Sequence, residues 1–467
     1  MRTHSNYIQG RWTSSRSTPS FIKTSPLDPK KPLGRFPVSN TADIEAAVAS
    51  AQSISEEWAQ LPSPKKASLF YTLAEKVFTN KGKLGNCIHL ETGKNLDEAL
   101  SEVDEVIDII RYYAAWGRNN AGQTLPSEEP RRFCYTQRLP IGICGLITPF
   151  NFPLCIPAWK LFPALILGNT IILKPSEETP LAIECLFQLM HASGFPAGTI
   201  HLLHGDHRTG KLLVQHKSVQ LISFTGSSET GHAIAIECLK RHKRYSLEMG
   251  GKSATIIFSD ADIANAAQST VSGTFGTSGQ RCTTSSKILI HRDIYNSFKT
   301  DFIKEAQEYS LGPLIHEQAQ RRFNQWIQEA IKDGAKVVLR QKSSAKKGWF
   351  VDLWILENVR RSSKIYTEEV FGPVAILIPF STDKEAISIA NETRYGLSSS
   401  FYTNSLERTY QIIPRLAAGI THVNSSTCGA EVQLPFGGIK QSGSGHRECS
   451  GEALNIYSEW KTVYIKY

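Results

Sequence analysis

The chain has 467 residues, 41% of them apolar and 20% charged, with 33 Gly and 22 Pro. That composition excludes an extended disordered chain, a collagen-like repeat and a disulfide scaffold, and the length suits two or three domains with full cores. The net charge of +9 comes from 52 basic against 43 acidic residues. It is spread along the chain, and no zinc spacing or aromatic-interleaved basic stretch accompanies it, so no nucleic-acid partner is expected.

The N-terminus, from Met1 to Trp12, has no apolar core of a secretory signal. Beyond it the first third reads as helical. Thr41 to Leu61 starts with a capping Thr and keeps apolar residues at helical spacing, as do Pro64 to Thr79 and Leu96 to Ala115. Leu139 to Trp159 carries no charge, yet Pro140, Pro149, Pro153 and Pro157 rule out a membrane-spanning helix. The segment is expected to be buried strand, turn and loop. From Arg138 onward, short apolar runs alternate with helix-like stretches such as Pro180 to Ala192 and His207 to Gln215. This pattern predicts βαβ units and parallel sheet. A basic run, Lys240 to Arg244, is expected to be a solvated helix end. A second alternating region runs from Ala254 to about Asn424, which puts the domain boundary near Gly250-Gly251. The nine cysteines form no C-x-x-C pair, which suggests reduced thiols and a cytoplasmic setting.

Five short segments carry chemistry. Val219 to Leu239 reads as strand, Gly-containing turn and helix, with Gly226 and Gly231 in a G-x-x-x-x-G spacing. Small residues at a helix N-terminus, here with Ser227, expose N–H groups and a dipole to a phosphate; a plain strand-to-helix turn reads the same way. Ile171 to Pro180 delivers Lys174 and Glu177 at a strand exit, where open α/β sheets bind ligands. Cys282 stands in a Gly/Ser/Thr-rich loop beside Arg281, whose charge could favour a thiolate; a surface thiol is the alternative. Glu248 lies 34 residues earlier, in LEMGGKS. Asn151 is fixed between Pro149 and Pro153, where its amide could donate to an oxyanion. Glu369 and Phe371 precede a Gly-Pro turn.

Together these segments resemble the aldehyde dehydrogenase superfamily over nearly the whole chain, from Tyr7-Ile8-Gln9-Gly10-Arg11-Trp12 to the Pro435-Phe436-Gly437-Gly438 stretch. The departures are modest. Phe150 stands where many members have Trp, and Met249 where Leu is frequent. A loop is missing between Ala306 and Gly312, and Val351 to Leu356 differs from the usual form.

The resemblance implies an α/β fold with a Rossmann-like cofactor domain (1–118 and 138–250) and an α/β catalytic domain (251–440). It adds a small β oligomerisation element (119–137 and 455–467), and hence a homodimer or homotetramer. Read by itself, Trp460 to Tyr467 alternates polar with β-branched or aromatic residues and offers an open edge. Cys282 is implied as nucleophile, Glu248 as general base and Asn151 as oxyanion donor. Gly226 and Ser227 are implied at the pyrophosphate, Lys174 and Glu177 at the adenosine ribose, Glu369 at the nicotinamide ribose and Phe371 by the ring. The expected reaction is oxidation of a small-molecule aldehyde to an acid with NAD, with NADP tolerated. Glu248 argues against a CoA-acylating variant, and retention of all three catalytic groups against a silent binding protein. Arg281, one residue before the nucleophile, could bind the carboxylate of a semialdehyde; turned outward, it would do no more than serve the thiol.

Overall fold

The computed structural model describes residues 1–15, 17, 19–119 and 122–467. Four strands precede the first helix: β1 (Asn6–Ile8), β2 (Arg11–Thr13), β3 (Ser20–Ser25) and β4 (Asp28–Pro37), paired as two hairpins. The helical reading of the first third therefore holds only from residue 41: β1 and β2 are too short to carry a readable period, and Pro29, Pro32 and Gly34 interrupt the alternation of β4.

Helices α1 (Thr41–Gln60), α2 (Ser63–Thr79), α3 (Lys81–Thr92) and α4 (Leu96–Trp116) follow. The cap of α1 is Asn40 rather than Thr41. The Asn40 side chain accepts from the Asp43 N–H, and the Asp43 carboxylate accepts from the Asn40 N–H. Helix α3 has no sequence expectation behind it; with Gly82 and Gly85 inside, its apolar stripe is short. Val103, Val106, Ile110 and Tyr113 of α4 lie in the core, as their spacing predicts.

Next come β5 (Thr124–Leu125), β6 (Arg132–Pro140), β7 (Ile143–Ile147), α5 (Cys155–Ile166), β8 (Thr170–Lys174), α6 (Pro180–Ala192), β9 (Ile200–Leu202), α7 (His207–Gln215), β10 (Leu221–Thr225), α8 (Ser228–Lys240) and β11 (Arg244–Glu248). The first sheet has the order β11-β10-β7-β8-β9-β1-β2, parallel from β11 to β9. Its central strands are apolar and buried on both faces, hence their unbroken Ile/Leu runs. The chain adds β8 and β9 on one side of β7, then crosses to place β10 and β11 on the other. That reversal opens a crevice at the carboxyl ends of β7 and β10.

The uncharged segment 139–159 does not end in loop. After the turn at 148–154 it enters α5, wholly buried, with Pro157 in the first turn where a missing N–H costs nothing. The basic run is only partly solvated: Lys243 is buried and its Nζ donates to the Val214 carbonyl at 2.7 Å.

The second sheet contains β12 (Ser253–Ile257), β13 (Ser285–His291), β14 (Lys336–Gln341), β15 (Leu353–Glu357), β16 (Val374–Phe380), β17 (Ser398–Tyr402) and β18 (Ile420–Val423), in the order β14-β15-β16-β13-β12-β17-β18. Helix α9 (Ile263–Phe275) joins β12 to the turn before β13. Finally β19 (Ser458–Lys466) pairs antiparallel with β6 along its full length, with β5 beyond. The C-terminal strand thus has its first partner within its own chain, and it leaves Trp460, Tyr464 and Ile465 exposed. Of the segment expected to start this element, residues 120 and 121 lie outside the described residues. Among the described residues, no helix is long and apolar enough to cross a membrane.

Candidate active site

At the crevice between β7 and β10 lies a cavity of about 550 Å³, lined among others by Thr148, Lys174, Glu177, Gly226 and Ser227. A second, of about 470 Å³, shares Phe150, Thr225, Gly226 and Ser227 with it and runs on to Asn151, Cys282, Glu369 and Phe371. The pair makes one elongated cleft with a helix N-terminus at its waist. Gly226 is required there, since a Cβ would fall 2.5 Å from the Phe224 ring. Ser227 caps α8 by accepting from the Thr230 N–H.

At the end of β8 the Lys174 Nζ donates to the Pro175 carbonyl at 2.8 Å and approaches Glu177 at 3.4 Å. Burial pulls the Lys174 pKa below its ordinary value. The Glu177 carboxylate stays partly exposed on the rim. Gly231 behaves differently from its expected role. It sits in the second turn of α8, where a Cβ would strike the Met249 sulfur at 2.5 Å, and it lines neither cavity. The second glycine of the spacing serves close packing of helix on strand. A lysine, a rim carboxylate, a helix N-terminus at mid-cleft and a buried carboxylate at the far end suit a ligand with two polar sugars joined by phosphates. The donor set fits a dinucleotide.

Cys282 is presented by a turn that few residues could make. After α9, Thr277, Ser278 and Gly279 all take left-handed backbone angles, with φ of 52°, 56° and 71°. Gln280 pins the turn: its Nε2 donates to the Pro313 carbonyl and its Oε1 accepts from the Ile315 N–H. The Cys282 loop then lies against Gly250-Gly251. A Cβ on Gly251 would sit 2.2 Å from the Cys282 carbonyl oxygen, and one on Gly250 2.4 Å from Glu369 Oε2. Burial pushes the Cys282 thiol well above the ordinary thiol range, and the Glu369 and Glu248 carboxylates push it further. Arg281 supplies no counter-charge to that thiol, contrary to the expectation of an Arg-favoured thiolate. Its Nη2 donates to Glu98 Oε1 at 3.1 Å and its Nε to Thr277 Oγ1 at 3.0 Å.

Glu248 ends β11, where its Oε2 accepts from the Gly438 N–H at 3.3 Å and its Oε1 is buried without a partner among the described residues. Burial raises its pKa well above the carboxylate range, reinforced by Glu448. The Glu369 Oε1 accepts from the Gly251 N–H at 3.1 Å, and burial lifts its pKa to about 7. Asn151 is buried, and its side-chain amide makes no hydrogen bond to another described residue. Phe371 takes a φ of 55° and meets the Phe150 ring edge-on, centroids 5.7 Å apart.

A third cavity of about 390 Å³ opens on the other side of Cys282. One wall is α4, with Glu98, Glu102 and Glu105; another is aromatic, with Phe152, Trp159 and Phe436. Cys282, Met249 and Thr225 line both this tunnel and the cleft, so the thiol stands where the two meet. Arg281 does line the tunnel, as expected, but with its guanidinium occupied by Glu98.

Sequence reasoning missed the buried pair behind Glu248: the Lys160 Nζ donates to Glu448 and, at 3.0 Å, to Ser223 Oγ. A lone lysine in an apolar helix, as in Ile156-Pro157-Ala158-Trp159-Lys160, was the available signal. Such a residue must find a buried partner. Glu448 had no comparable mark. All nine cysteines are free.

The family model described as "Aldehyde dehydrogenase family" matches residues 12–463. The chain is 33% identical to an alpha-ketoglutaric semialdehyde dehydrogenase of Bacillus subtilis, over 99% of this chain and 98% of that one. Among solved structures it is similar to a putative aldehyde dehydrogenase of Burkholderia cenocepacia, with a TM-score of 0.96 at 31% identity, covering 100% of this chain and 98% of that one. It is also similar to betaine aldehyde dehydrogenase of Staphylococcus aureus in complex with NAD+, with a TM-score of 0.95 at 30% identity, covering 99% and 94%. The chain belongs to the aldehyde dehydrogenase family, and it has that family's α/β fold with parallel-sheet domains. It is an oxidoreductase acting on aldehydes.

Proposed function

We propose that the chain oxidises an aldehyde to a carboxylic acid, using Cys282 as nucleophile and NAD or NADP as hydride acceptor. The observation that carries this reading is the position of Cys282 at the junction of the cleft and the tunnel, with Glu248 and Asn151 beside it. As thiolate, the Cys282 Sγ adds to the carbonyl carbon and makes a thiohemiacetal. The oxyanion is held by the Asn151 amide and the Cys282 backbone N–H; one such donor is worth about 3–4 kcal/mol. Bound in the cleft, the dinucleotide supplies the acceptor for the hydride, whose loss leaves a thioester on Sγ. Glu248 takes a proton from a water that attacks the thioester carbonyl, the C–S bond breaks, and the acid leaves. A water-activating carboxylate beside the thiol favours hydrolysis over transfer to CoA.

Gly226 and Ser227 would hold the pyrophosphate, Lys174 and Glu177 the adenosine ribose, and Glu369 the nicotinamide ribose, with Phe371 beside the nicotinamide. The Glu177 carboxylate accepts from ribose hydroxyls and repels a 2′-phosphate, so NAD is preferred; a tenfold kcat/KM advantage for NADP would reverse that preference. Residues 1–118 with 138–250 form the cofactor domain and 251–440 the catalytic domain. Residues 119–137 with 455–467 form the oligomerisation element of a homodimer or homotetramer, and the free thiols suit the cytoplasm.

The Bacillus subtilis relative and the place of Arg281 on the tunnel wall favour, as a second reading, a semialdehyde bearing a carboxylate. Arg281 would have to exchange Glu98 for the substrate. Absorbance at 340 nm with NAD and a panel of aldehydes tests the main reading. Wild type should turn over, and Cys282→Ala should lose more than about a thousandfold in kcat. Appreciable turnover by the variant refutes the assignment.

A further inference from the structure

Two thiols meet away from the cleft and the tunnel. Cys87 lies on α3 and Cys185 on α6, 98 positions apart in sequence, and their Sγ atoms approach to 3.5 Å. One turn further along α3, the Glu91 carboxylate accepts from the Leu181 and Ala182 N–H groups. The same helix therefore clamps the first turn of α6 and, a turn on, meets Cys185. Neither sulfur is sealed in, since Cys87 is 8% exposed and Cys185 6%. A disulfide of about 2.05 Å asks the two sulfurs to close by about 1.5 Å, a movement that side-chain rotation can supply.

The surroundings divide the pair. The Cys87 S–H donates to the Cys185 sulfur, and this bond, aided by Lys83 and Arg2, holds the Cys185 thiol below its ordinary value against burial and Glu184. The same contact, burial and Glu91 push the Cys87 thiol up. By contrast, burial holds Cys144, Cys155, Cys282 and Cys449 above the ordinary thiol range. A sulfur with thiolate character, in contact with a second thiol, is the arrangement in which a sulfenic acid ends as a disulfide instead of oxidising further.

We infer that Cys87 and Cys185 form a reversible disulfide when the protein meets hydrogen peroxide, a covalent tie between α3 and α6 that takes no part in aldehyde oxidation. The Cys185 thiolate attacks one peroxide oxygen and the O–O bond breaks. The departing hydroxide recovers from solvent the proton that Cys185 gave up and leaves as water, and Cys185 becomes a sulfenic acid. The Cys87 sulfur then attacks the Cys185 sulfur, the S–O bond breaks, and a second water leaves with the Cys87 proton. The two thiols lose two electrons between them and the peroxide gains them. Reduction by a dithiol reverses the step. The tie closes a loop of 98 residues and so restricts the unfolded chain, which makes the oxidised protein the more stable form. It lies one turn beyond the Glu91 clamp, on the helix that follows directly from the Lys174–Glu177 segment.

The test starts from the full chain, reduced, desalted and then treated with hydrogen peroxide. Remaining thiols are blocked with iodoacetamide in denaturant, and the digest is mapped by mass spectrometry. A cross-linked species joining the Cys87 and Cys185 peptides should dominate, and dithiothreitol should release both. This reading needs no variant. In Cys87→Ala the link is lost, and dimedone should capture a sulfenic acid on Cys185. Oxidation should raise the thermal unfolding midpoint of wild type by several degrees and leave those of Cys87→Ala and Cys185→Ala where they were. Absence of the link, a link between other cysteines in its place, or a linked protein whose midpoint does not rise overturns the inference.

Discussion

The cofactor cleft and the substrate tunnel meet at one sulfur atom, yet they are built differently. The cleft is made largely from strand ends, a helix N-terminus and glycines that let backbone approach backbone, at a place dictated by the crossing of the chain from β9 to β10. The tunnel is made from side chains on α4, α5, the Cys282 loop and the segment 428–436, far apart in sequence. Backbone-built sites follow from topology, and any chain with this strand order offers one. Side-chain-built sites follow from which groups happen to converge, and they carry the specificity.

The steepest way to break this contrast lies at the junction. Asn151→Ala removes a donor to the oxyanion without altering either wall, and kcat should fall by about a hundred- to thousandfold with cofactor affinity little changed. Steady-state kinetics with both substrates varied would show it; an equal rise in the cofactor KM would place Asn151 in the cleft instead.

Next in size is the pH profile. The Cys282 thiol and the Glu248 carboxyl both stand above their ordinary ranges, and both act only when deprotonated. Turnover should therefore climb from pH 7 towards pH 9, by up to about tenfold per unit while one group titrates. A rate falling over that interval would contradict the electrostatics of the junction.

The smallest effect sharpens the backbone side of the contrast. Gly251→Ala puts a Cβ against the Cys282 carbonyl, where only backbone could yield. Thermal or denaturant unfolding should show about 1–3 kcal/mol of lost stability, the usual cost of overpacking. An unchanged midpoint would mean that the nucleophile loop is not held there.

Much of the cleft was legible in the sequence for the same reason. Gly226, Ser227, Lys174 and Glu177 fall within short strand–turn–helix segments, so their spacing foretells their neighbourhood. Gly231 misled, because a glycine that admits a methionine sulfur looks in sequence like one that admits a phosphate. Helices with a full apolar stripe, such as α4, declared themselves; the three-residue strands β1 and β2 did not. Cys282, Glu248 and Asn151 stood out by residue type in an unusual context. The Lys160–Glu448 pair and the Arg281–Glu98 pair span 288 and 183 positions, and no local pattern reports contacts of that range. The direction of the Arg281 side chain is fixed by such a contact.

The central claim is that Cys282 carries the acyl group and that Glu248 releases it. Glu248→Gln, mixed with NAD and an aldehyde substrate and quenched, should accumulate a covalent acyl adduct on the peptide containing Cys282, near one per chain, alongside a matching burst at 340 nm. A burst with no adduct on that peptide, or with the adduct on another of the nine cysteines, would contradict the account.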